Sequence, residues 1–185
     1  MSDIDKLRKA FDHSFIVEDP RLIENFEDGS SMRRDIIAGT KFLIVRIDPN
    51  KKALFPYFNR IEGIHKMCDY FLFVEDNDAI FVFIIEMKKG HFSPQKQLDL
   101  SENFIKFVLR RMCLIDGLRL EGPFFIRKIG ISDIKHPKRQ LKVGYDLYFD
   151  ENNYLKRYHE SKFRTDLFTV IETKSPNKGA IDLMD

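Results

Sequence analysis

The stretch from Asp69 to Glu86 constrains the fold more than any other. Asp69-Tyr70-Phe71-Leu72-Phe73-Val74 reads as a strand and Glu75 to Asp78 as a polar turn. Ala79-Ile80-Phe81-Val82-Phe83-Ile84-Ile85-Glu86 then reads as a second strand, apolar on both faces. A strand with no polar face belongs inside a sheet that is covered on both sides. The neighbouring segments supply such a sheet and its cover. Lys41 to Asp48 is rich in β-branched and apolar residues and stops at Pro49-Asn50, which predicts a strand and a turn. Ser93-Pro94 offers an N-cap and a first-turn proline to a helix marked by Leu98, Ile105, Val108, Leu109 and Met112 and ending at Asp116-Gly117. Phe124 to Ile131 predicts another apolar strand.

Near the start, Ile4, Leu7, Phe11 and Phe15 fall at helical spacing, and Arg21 to Phe26 would continue the helical region after Pro20. The expected order is helix, three strands, helix, strand: a mixed α/β domain. Val143 to Phe149 would add an edge strand, and a helix is expected around Tyr154 to Phe163. A chain of 185 residues that is 43% hydrophobic suits one domain, here residues 1–172, with 173–185 as a flexible C-terminal tail.

The informative charges are those that abut the apolar hairpin, because a charge is costly in a buried strand. Asp69 stands where the first strand begins, and Glu86 and Lys88 where the second ends. With the turn at Glu75 to Asp78, Asp69 would lie opposite Ile84 and diagonal to Glu86, with Lys88 on the same face. Two carboxylates so placed raise each other's pKa unless a cation sits between them. A Mg²⁺ or Mn²⁺ ion held by Asp69, Glu86 and the Met87 backbone carbonyl would relieve that repulsion.

These residues resemble the PD-(D/E)xK nuclease superfamily. Cys68-Asp69-Tyr70, Glu86-Met87-Lys88 and Gln97-Leu98 follow each other as they do in small bacterial members, where a Cys-Asp strand, a Glu-x-Lys strand and a Gln-Leu helix come at short intervals. The resemblance implies an α/β restriction-endonuclease-like core, with helix, three-stranded mixed sheet, helix and strand, carrying extra C-terminal elements. It also implies metal-dependent hydrolysis of phosphodiester bonds in nucleic acid, DNA first. Asp69 and Glu86 would then hold the metal, Lys88 would be the catalytic lysine, and Gln97 would reach the site from its helix. The superfamily carries a further acid on its first helix, for which Glu24, Glu27 and Asp35 are all candidates, and Asp48 could also approach the site.

Lys+Arg 31 against Asp+Glu 29 leaves no strong global field, so nucleic acid must be drawn to a local patch. Arg127, Lys128, Lys135, Lys138, Arg139 and Lys142 form the expected one, giving salt-sensitive phosphate contacts. Cys68 and Cys113 match neither a zinc pattern nor a disulfide framework and read as reduced thiols. With no GxSxG elbow and no Gly-rich phosphate loop, serine-triad and P-loop chemistry drop out. The longest apolar run, Ala79 to Ile85, is too short to span a bilayer, so the expectation is a cytoplasmic protein without a membrane partner. Cutting a duplex leaves room for a homodimer or a partner protein. The rival expectation is a non-catalytic nucleic-acid or protein interaction module on the same fold.

Overall fold

The computed structural model describes residues 1–37, 40–47, 63–76, 78–90, 93–135, 154–159 and 165–166. The chain opens with α1 (Asp3–Ala10), in which Ser2 and Asp5 form a reciprocal capping box, followed by a 3-10 turn at His13–Phe15 and the short β1 (Ile16–Val17). Next come β2 (Arg21–Asn25), β3 (Ser31–Ile37), β4 (Phe42–Arg46), β5 (Tyr70–Asp76) and β6 (Ala79–Lys88). The long α2 (Gln95–Cys113) leads to β7 (Phe124–Lys135), and β8 (Tyr154–His159) and β9 (Thr165–Asp166) follow.

Six strands form a mixed sheet in the order β1-β4-β5-β6-β7-β8. The meander β4, β5, β6 is antiparallel, and β7 returns parallel to β6 after α2, as a crossover through a helix requires. The central strands are buried on both faces, and two separate cores result. Leu43, Val45, Phe71, Phe73, Val82 and Ile84 point to the side of α1 and α2, where Leu7, Leu98, Ile105 and Leu109 cover them. Ile44, Tyr70, Leu72, Phe83, Ile85 and Met87 point the other way, onto Leu22, Met32 and Ile36 of β2 and β3. The fold is therefore a layer of helices, a central sheet, and a second small sheet in the order β2-β3-β9.

Three expectations need correcting. Arg21 to Phe26 is not helical. Asp28-Gly29, with Gly29 at φ 79°, turns the chain so that β2 pairs antiparallel with β3, whose Met32, Arg34 and Ile36 alternate inward. Tyr154 to His159 is a strand rather than a helix, because it pairs parallel along the open edge of β7. The hairpin turn is also tighter than four residues: β5 and β6 pair down to Asp76 opposite Ala79, with Asp78 at φ 63°. That shifts the register by two, so Tyr70 faces Ile85 and Asp69 comes up against Glu86 instead of Ile84. The helix expected from Ser93-Pro94 starts at Gln95 with Pro94 as its N-cap and no side-chain cap, and ends at Cys113. Asp48, Val143 to Phe149 and residues 173–185 lie outside the described residues.

Candidate functional site

The site forms where the β5–β6 ladder runs out beside the start of α2. Asp69 is one step past the last pair of β5, and its carboxylate replaces the missing backbone partner by accepting the Met87 N–H at 2.6 Å. Glu86, fully buried, projects from the penultimate turn of the β6 pleat onto the α2 side, the face opposite to Ile85 and Met87. There the Gln97 amide donates to Glu86 Oε2 at 2.8 Å and also to the Met67 carbonyl. Lys88, on the same face as Glu86, sets its ammonium 3.1 Å from Glu86 Oε1 and donates to Gln97 Oε1 at 3.3 Å. Asp69, Glu86, Lys88 and Gln97 are thus brought together from three segments of the chain.

Supporting contacts tie this end of the sheet to the elements on both of its faces. The fully buried Ser101 hydroxyl accepts the Cys68 N–H at 2.7 Å and donates to the Gln97 carbonyl at 2.8 Å, tying the strand entrance to the helix. On the other face, the Tyr70 hydroxyl donates to the Ile23 carbonyl at 2.6 Å and accepts the Ile23 N–H at 3.1 Å. That double contact clamps β2 to the sheet and fixes its neighbour Glu24, which faces the Arg46 guanidinium at 3.6 Å. Nothing in the sequence marks Tyr70 or Ser101 for these roles, since both sit in ordinary apolar or helical contexts.

The electrostatics are unfavourable for two negative charges. Burial is the main cause that lifts Glu86 to about 7, against the opposing pull of the Lys88 ammonium, and the Glu24 charge lifts it further. Asp69 is held well above the usual carboxylate range, first by burial and then by the Glu86 charge, with the Met87 N–H opposing. Of the three candidate acids, Glu24 is the one whose charge acts on both carboxylates, while Glu27 and Asp35 are exposed. Burial also pushes the Cys68 thiol far up, so it is no thiolate nucleophile.

Among the described residues, no three His, Cys, Asp or Glu side chains cluster closely enough to bind a metal by themselves. The pair nevertheless fits a hard divalent ion, which takes one or two protein carboxylates and fills its shell with water and substrate oxygens. Glu86 Oε1 is buried and accepts no hydrogen bond among the described residues, its contact there being the ion pair with Lys88.

Of the expected basic run, Arg127 and Lys128 do not form an exposed patch. Arg127 and Lys128 are both buried and project to opposite faces of β7. Lys128 is taken up by Asp99 at 2.8 Å and Glu102 at 2.9 Å of α2, and Arg127 lies over the Phe125 ring. Neither is placed to meet a phosphate. Lys135 belongs to β7, and Lys138, Arg139 and Lys142 lie outside the described residues. No helix is long and apolar enough to cross a membrane among the described residues. The chain matches no protein-family model, no curated protein and no solved structure.

Proposed function

We propose that this protein is a Mg²⁺- or Mn²⁺-dependent nuclease of restriction-endonuclease-like architecture, acting on nucleic acid and on DNA first. The observation that carries the reading is the buried Glu86 carboxylate, with Lys88 and Gln97 on it, set beside the partly buried Asp69 carboxylate at a strand end. A protein that gained nothing from two adjacent acids withdrawn from water would lose stability by keeping them. The run of α1, the meander of β4 to β6, α2 and the parallel β7 supports the same reading, since it follows the expected order of helix, three strands, helix and strand.

In this reading Asp69, Glu86 and the Met87 carbonyl hold the ion. When bound, a divalent ion polarises a phosphoryl group and makes water more acidic. Lys88 places a positive charge where charge develops on the phosphate or on the attacking water. Gln97 holds the Glu86 carboxylate in one orientation through its 2.8 Å bond, so the acid does not have to be ordered when substrate arrives. Arg46 keeps the Glu24 charge beside the site without letting it collapse onto the pair.

Incubation with supercoiled plasmid and with short DNA and RNA strands, in Mn²⁺, Mg²⁺ or EDTA, tests this. Cleavage that needs the ion and falls at least 100-fold in Glu86→Gln and Lys88→Ala is the expected result, by analogy with the loss of other transition-state contacts. Equal inertness of wild type and variants on every substrate would favour the second reading, a non-catalytic interaction module. That reading draws on the absence of a third close ligand among the described residues.

A further inference from the structure

α2 carries three stripes with different fates. Leu98, Ile105, Leu109 and Met112 face the core, and Asp99 and Glu102 turn toward β7 to meet Lys128, with Lys106 on Glu102 at 2.6 Å. The acids of the helix are thereby used up on one flank. The other flank bears Lys96, Asn103, Phe104, Phe107 and Arg111, spaced i, i+7, i+8, i+11 and i+15, which places them along one line of the surface. This flank borders an open groove of about 210 Å³ whose opposite wall includes Lys66 and Met67. Its floor is aromatic: Phe104 stacks on the core ring of Phe71 at 6.2 Å, and Phe107 is 56% exposed with the Arg111 guanidinium over its face at 5.7 Å.

Lys66, Lys96 and Arg111 are exposed and pair with no acid among the described residues. The groove therefore joins flat apolar faces to uncompensated positive charge, the combination that holds unpaired bases and their phosphates. It neighbours the candidate site through Met67, which lines the groove and whose carbonyl accepts the Gln97 amide. We infer that this groove is the seat of a single-stranded nucleic acid, with one base on Phe107 and the strand's phosphates on Lys66, Lys96 and Arg111. The inference rests on the nuclease reading for its biological sense, and it identifies the substrate class as strands with unpaired nucleotides.

The test is equilibrium binding of the full-length wild-type chain to fluorescently labelled oligo-dT, oligo-U and a blunt duplex, all in EDTA so that no cleavage occurs. The expected result is tighter binding of a single strand than of the duplex, weakened about 5- to 100-fold by Phe107→Ala. Lys66→Ala and Lys96→Ala should each flatten the salt dependence, by about 0.7 in the log–log slope for a single strand. The relative strength of oligo-dT and oligo-U binding assigns the groove to DNA or RNA. Phe107 is exposed, so its loss leaves the fold intact, and an unchanged melting temperature of Phe107→Ala checks that. Single-strand binding that is indifferent to Phe107→Ala and to both lysine variants, or no binding at all, overturns the inference. Ion-dependent cleavage by a protein whose groove variants bind like wild type would refute the groove while leaving the nuclease reading standing.

Discussion

Glu86 is a fully buried acid whose proton affinity is raised by burial to about 7, from an ordinary value of 4.5. Between those values the folded state keeps a proton that the unfolded chain has released, so metal-free stability falls as pH rises from about 4.5 through about 7. Glu86→Gln removes the charge and keeps the shape. Urea titrations in EDTA should show the variant about 1–3 kcal/mol more stable than wild type at pH 8 and nearly equal at pH 4.5, because replacing a buried charge by a neutral isostere relieves its desolvation. Tyr70→Phe should cost about 1–2 kcal/mol by leaving both polar groups of Ile23 without their partner. It should also lower the proposed nuclease activity modestly by freeing β2 and Glu24; amide exchange at Ile23 measures the loosening. Asp69, Glu86 and Lys88 were legible in the sequence because charges beside so apolar a hairpin are costly unless they serve something, whereas Gln97 came only from the resemblance. Glu24 was left among three candidates because its position depends on Tyr70, a contact made across 47 residues of chain.

At the scale of elements, the apolar hairpin and the helix after it were readable because their patterns are local and strong. The β2–β3 pair was missed in part for the opposite reason: Leu22, Ile23 and Phe26 suit a helical face as well as a strand, and only the cover needed over Tyr70, Leu72 and Phe83 decides between them. Lys128 misled because charge in sequence says nothing of partners, and it already has two on α2. Lys128→Gln should therefore cost about 1–2 kcal/mol in stability, by removing the ammonium from the half-exposed Asp99 and the less exposed Glu102, which keep Gln95 and Lys106 as partners, and should leave the salt slope of nucleic-acid binding unchanged. Gly122 marks another junction between elements. A Cβ there would stand 2.3 Å from the Asp78 carbonyl oxygen, next to the Asp3 carboxylate that accepts the Glu121 and Gly122 N–H groups at 3.0 Å. Gly122→Ala should destabilise by about 1–3 kcal/mol, read as a lower midpoint in denaturant, since backbone has to move to admit the methyl.

For the whole molecule, the three layers converge on one end of the central sheet: α2 brings Gln97, β6 brings Glu86 and Lys88, and the small sheet brings Glu24. The core on each face keeps this end dry enough to hold two acids largely out of water, and a divalent ion is the partner that suits them. The melting temperature of the full chain at pH 8, in EDTA and in millimolar Mn²⁺, tests that claim without any choice of substrate. At an ion concentration about 100 times its dissociation constant, wild type should gain about 5–10 °C, and Glu86→Gln should gain nothing. A wild type indifferent to Mn²⁺, or a Glu86→Gln variant that responds to it as strongly, would contradict the assignment of this site.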